Sequence, residues 1–392
     1  GNEYTLGLTI SGTPNGSETL TVVPSSSSAI YDLAGNAAST TQSNNTVSLN
    51  DTSPPTLSNV SIVSNNTTNT LAKAGDEITL TFTASETINE PVVTFQSGSS
   101  SITDSSVTYT NTSGNTWTAK YTSNASDTDG SVSFSIAFTD GSNAGTDVTS
   151  GSGSVIFDKT LPTVSSFTTT TSSGSYNQAE EIVITANTTE SVQSGNTITV
   201  TLDTSDTVLL TAASTGTTLV GTYTVGAGDT SAGLTVNSFA IGTVADTAGN
   251  AMTSTTLPSE GSIFGSKTII IDTAAPTLSE KTVVSTPSND TTPSVVISSN
   301  EAGTITSSLS ITSGESGISG DNTITFDTLS DGTYTPTVTF TDASGNESTV
   351  TLTSFVIDTA APTLSEETVV STPSNDTTPS VVISSNEAGT IT

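Results

Sequence analysis

Short stretches of this chain alternate strictly between apolar and hydroxyl side chains. Ile78, Leu80, Phe82 and Ala84 are separated by Thr79, Thr81 and Thr83, and Val132, Phe134, Ile136 and Phe138 repeat the pattern. It returns at Ile182, Ile184 and Ala186, and again where Tyr334, Pro336, Val338 and Phe340 lie between Thr333 and Thr341. A two-residue period puts one side of a strand in a core and the other in water. Thr on the wet side is β-branched and favours the extended chain, whereas a disordered Ser/Thr tract would not keep its aromatic residues in register. Turn signals such as Asp129-Gly130, Asp331-Gly332, Ser313-Gly314 and Gly145 punctuate the runs. No helical period occurs. About seven short strands per 90 to 110 residues predict an all-β chain of antiparallel β-sandwiches. An up-and-down barrel is the structural alternative; strand number and spacing favour the sandwich.

The chain also repeats on a longer scale. Residues 272–306 return at 358–392 with one change, Lys281 to Glu367, a period of 86 residues. Looser copies of the same Pro-bearing linker begin at Asp51 (Asp-Thr-Ser-Pro-Pro-Thr-Leu-Ser) and Asp158 (Asp-Lys-Thr-Leu-Pro-Thr-Val-Ser). Spacings of 107, 114 and 86 residues each suit one ordinary domain, too long for a solenoid turn that must stack on its neighbours. The expected division is 1–50, the C-terminal part of a domain; 51–157, 158–271 and 272–357, whole domains; and 358–392, the N-terminal part of a further repeat. Two readings of the ends stay open: a window on a longer array, or strands supplied by the next copy, giving head-to-tail assembly by strand complementation.

A second motif, Asp-x-(Ala/Ser)-Gly-Asn, recurs as Asp32 to Asn36, Asp246 to Asn250 and Asp342 to Asn346, with a degraded copy from Asp140 to Gly145. Together, turn and linker resemble the bacterial immunoglobulin-like tandem repeats of large secreted adhesins and cell-surface fibres. The resemblance covers essentially the whole chain. It implies tandem immunoglobulin-like β-sandwiches in a linear array, a secreted or cell-surface setting, and calcium at the junctions.

Topology leads to calcium by a separate route. In a seven-stranded sandwich the linker, the loop after the second strand and the loop before the last strand share the pole where the chain enters. Those positions hold Asp51, Glu86 and Asp140 in one unit, Asp158, Glu190 and Asp246 in the next, and Asp272, Glu301 and Asp342 in the third. The last fragment retains Asp358 and Glu387. Converging carboxylates repel one another, and a hard divalent cation, bound through six to eight oxygens, offsets that repulsion. Asp129 and Asp331 lie in turns of the opposite pole, beside the following linker. A simpler role is also open to the turn Asp: closing its own turn on the backbone, with Gly345 or Asn346 at positive φ.

Composition narrows the function. The net charge is −32, there is no Arg, and the five basic residues are Lys73, Lys120, Lys159, Lys267 and Lys281, a balance that repels nucleic acid. No run of about 18 apolar residues is present to insert in a membrane, and secretion or anchoring signals would lie outside these residues. Without His or Cys, the common nucleophile and base pairs and zinc sites are missing, so no enzyme is expected. The expected role is an extracellular stalk, adhesin extender or filament subunit with calcium-rigidified linkers. Alternatives are repeated modules that bind a glycan or a surface receptor protein, or a spacer attached to a secreted enzyme.

Overall fold

The computed structural model describes residues 3–43, 45–103 and 106–392; the remaining positions of the 1–50 and 51–157 units lie outside the described residues. In the unit from Asp51, the strands Leu57–Ser64, Glu77–Ala84, Thr116–Thr122 and Thr108–Ser113 form one antiparallel sheet, in that order. Leu71–Ala72, Ile156–Phe157, Gly130–Ala137, Val92–Ser97 and Ser100–Ser101 form the facing sheet. The chain changes sheets between Ser64 and Leu71, so Leu71–Ala72 runs parallel to the last strand while the rest of the sandwich is antiparallel. The same crossing recurs in the other units, where Gly174–Tyr176 pairs in parallel with Ile269–Asp272 and Ser288 bridges Ile357 in parallel. This is the immunoglobulin-like sandwich.

Alternation does what the pattern requires. Ile78, Leu80 and Phe82 are fully buried, and the ring centroids of Phe95 and Tyr121 lie 4.7 Å apart between the two sheets. Each side chain of this size contributes roughly 1.5–3 kcal/mol when fully buried. Three separate apolar cores result, spanning Ile62 to Phe157, Val164 to Ile271 and Val284 to Ile357. Among the described residues, no core runs across a linker. The one helical element among the described residues is a 3-10 turn at Glu260–Ser262.

Two details depart from the alternation. The run from Thr333 to Thr341 is not one strand: Gly332–Tyr334 pairs with Phe355–Ile357, whereas Thr337–Thr341 pairs with Gly303–Ser307 and Glu347–Thr351. Pro336 sits at the break, where a residue without an N–H cannot continue a ladder. In the unit from Asp158, six strands make one sheet that wraps around an edge of the sandwich, joined through Thr207–Thr211. Gly221 permits this, because a Cβ there would lie 2.4 Å from the Leu209 carbonyl oxygen.

The terminal segments are simpler. Thr19–Thr21 pairs with Thr46–Ser48, and Leu364–Thr368 pairs with Val382–Ser385 in the register of Leu278–Thr282 on Ser294–Ser299.

Candidate metal centre

In each whole unit the linker, the loop after the second long strand and the loop before the last strand meet at the N-terminal pole. Asp51, Glu86 and Asp140 offer carboxylate oxygens within 4.8 Å of one another, as do Asp158, Glu190 and Asp246, and Asp272, Glu301 and Asp342. Asp358 and Glu387 occupy the corresponding linker and loop positions but join no such group among the described residues.

Each carboxylate is held by its own local device. The turn Asp closes its turn: Asp246 Oδ1 accepts from the N–H groups of Gly249 at 2.7 Å and Asn250 at 2.9 Å, with Gly249 at φ +92°. Asp342 does the same with Ser344 and Asn346, Asp32 with Ala34 and Asn36, and Asp140 with Ser142 and Asn143. The glycine, at φ +88° for Gly345, takes the left-handed conformation. Turn closure and carboxylate convergence therefore coexist in one residue.

The loop Glu is positioned through its predecessor. Ser85, Thr189, Asn300 and Asn386 each accept, through a side-chain oxygen, the N–H of the Thr ending the linker, at Thr56, Thr163, Thr277 and Thr363. Gln193 Nε2 donates to the Asp246 carbonyl at 2.8 Å, tying this loop to the turn.

The sequence pointed to the Asn that ends the turn only for the turn's own geometry, yet its side chain also reaches the linker. Asn250 Nδ2 donates to Asp246 Oδ2 and to the linker carbonyl of Asp158, both at 2.9 Å. Asn346 bridges Asp342 and the Asp272 carbonyl, and Asn143 bridges Asp140 and the Asp51 carbonyl. The recurring Gly-Asn pair was the available signal, and turn chemistry alone accounted for it.

The preceding unit reaches the linker from its C-terminal pole. Asp129 accepts from the Lys159 N–H at 2.8 Å and the Thr160 hydroxyl at 3.1 Å. Asp331 accepts from the Thr359 hydroxyl at 2.7 Å, and the Thr273 hydroxyl donates to the Asp229 carbonyl at 3.1 Å.

The second group is the one with a buried member. Asp246 is 1% exposed, and Glu190 Oε2 is buried without a hydrogen-bond partner. Burial, then the charges of Asp158, Asp246 and Asp129, hold the Glu190 carboxyl above its ordinary value; burial, then Asp246 and Asp129, do so for Asp158. Burial and the charges of Asp51 and Asp140 likewise raise Glu86. Asp140 is held low by the backbone N–H groups of Asn143 and Ser142. Oxygen-only donors and an orphaned buried carboxylate oxygen fit a hard divalent cation such as calcium.

Residues 268–359 match the family model of the bacterial Ig-like domain. By this match that unit is similar to the bacterial Ig-like domain. The 358–392 segment repeats residues 272–306 of that unit with the single change of Lys281 to Glu367. No curated protein matches the chain. Among solved structures, similarity extends to the I-band fragment I67-I69 from titin, 12% identical over 78% of this chain and 98% of that one, with a TM-score of 0.30. The fibronectin(III)-like modules of Clostridium thermocellum CbhA are 13% identical over 54% of this chain and 93% of that one, with a TM-score of 0.19. Among the described residues, no helix is long and apolar enough to cross a membrane.

Proposed function

We propose that this chain works as an extracellular spacer, a stalk, adhesin extender or filament subunit, whose joints calcium stiffens. The observation that carries the reading is the make-up of the three carboxylate groups: each takes one member from the linker itself and two from loops of the following sandwich. A cation held there would fix the linker to the domain it leads into. Asp158, Glu190 and Asp246 would bind it at the second joint, with the unpaired Glu190 Oε2 as a ready oxygen. The equivalent sets are Asp51, Glu86 and Asp140, and Asp272, Glu301 and Asp342. Calcium supplies positive charge and multiple oxygen coordination. The protein supplies the separation of the domains, since sandwiches built on strands rising ~3.3 Å per residue add tens of ångströms each.

Without the cation, the acidic groups repel and the small contacts between sandwiches leave relative domain motion as the default. Small-angle scattering tests this directly. In millimolar calcium the particle is expected to be longer and stiffer than in chelator; superimposable profiles would reject calcium as the stiffening agent.

A further inference from the structure

We propose that the Asp-x-x-Gly-Asn turn also seats on the preceding domain, so that docking across the joint and occupation of the carboxylate group reinforce each other. The inference rests on the calcium reading above and adds a second face to the same turn.

At the joint between the units from Asp51 and Asp158, Asn66 Nδ2 crosses between domains. It donates to the Ala248 carbonyl at 2.9 Å and, within its own unit, to Asp76 Oδ2 at 2.7 Å. Asp76 is 8% exposed and also accepts from the Lys73 N–H and the Lys73 ammonium, both at 2.9 Å. This makes a fixed platform for the neighbouring turn. Gly249 lies on it, and a Cβ there would meet Lys73 Cε at 3.5 Å. Beside the platform, a cleft of about 590 Å3 separates Asn66 and Lys73 from Gln193 and Gly249. A seat built on Asn66 and Lys73, then, spans this side of the joint.

At the next joint the turn glycine again faces the preceding unit. A Cβ on Gly345 would lie 3.2 Å from Asn177 Nδ2 of the unit from Asp158. Asn177 holds the position of Lys73, its N–H bonded to the acid three residues on: Asn177 to Glu180, Lys73 to Asp76. In the degraded turn, by contrast, Gly141 faces Asn89 of its own unit.

The coupling follows from connectivity. Residues 246 to 250 contribute a carboxylate to the metal group, clasp the linker carbonyl through Asn250 and offer Ala248 to Asn66. Whatever fixes the turn for one partner fixes it for the other, and such a linkage is reciprocal.

The test uses the full chain carrying Glu86→Gln and Glu301→Gln, leaving the second group as the complete one. Because the sequence lacks Cys, Ser133→Cys and Thr207→Cys can place a pair of spin labels across the joint. Adding Asn66→Ala is expected to weaken calcium binding, measured by calorimetry, about threefold to tenfold, the worth of the one hydrogen bond that crosses the joint. It should also broaden the distance distribution in chelator, with calcium narrowing it again. Thr68→Ala, in the same loop without a side-chain bond across the joint, should change neither. Unchanged affinity in Asn66→Ala, with or without broadening, would overturn the coupling. If the parent chain fails to bind calcium before Asn66 is altered, the calcium reading itself falls and the coupling falls with it.

Discussion

At the scale of single residues, the centre is a balance between carboxylate repulsion and the hydrogen bonds that hold each group in place. Glu190 is the clearest case, because one of its oxygens is buried with no donor while three acidic neighbours raise its proton affinity. Glu190→Gln removes the charge and adds a donor. It is therefore expected to raise the melting temperature of its unit in chelator and to abolish that unit's stabilisation by calcium, both read by calorimetry. The carboxylates were legible in the sequence because they recur at matched positions in a chain with only five basic residues to offset them. The grip of Asn143, Asn250 and Asn346 on the linker was not. Asn is abundant here, and the carbonyl that Asn250 clasps lies 92 residues away in sequence.

At the scale of the elements, apolar alternation fixed which face of each strand turns inward, since a slip by one residue would expose the whole set. It could not show where a strand changes partner. The break at Pro336 follows from a missing donor, and its sequence neighbours carry the same Thr-apolar rhythm on both sides. The wrapped sheet of the unit from Asp158 depends on empty space at Gly221, visible only once Leu209 is opposite. Gly221→Ala is expected to destabilise that unit by about 1–3 kcal/mol, the usual cost of overpacking, measured by denaturant unfolding. The cores centred on Phe82 and Phe340 should unfold with unchanged midpoints.

At the scale of the whole molecule, charge sets the pH response. The raised carboxyls, Glu190, Asp158 and Glu86, favour the protonated form in the fold. Their stabilising effect is present at low pH and lost as pH rises through their raised values, which lie above the ordinary 4.5 of Glu and 3.8 of Asp. Asp76, Asp140, Asp229 and Asp321 are shifted the other way, and their contribution is lost as pH falls below 3.8. In chelator, thermal stability is thus expected to peak on the acid side of neutrality. In calcium, which competes with protons for the raised groups, the peak should move towards neutral pH; a melting series across pH in both conditions checks the shift.

The parallel pairing of the early short strand with the last strand determines how each bead meets a pull. Chain enters one end of the sandwich and leaves from the other, so tension drawn through the linkers drags these two neighbours past each other in opposite directions. Their hydrogen bonds share the load in shear instead of parting one by one like a zip. The pairing spans three residue pairs in the unit from Asp158, two in the unit from Asp51 and a single bridge in the unit from Asp272. Under such a pull the units carry a built-in order of yielding, with the weakest parallel latch in the most faithfully repeated domain.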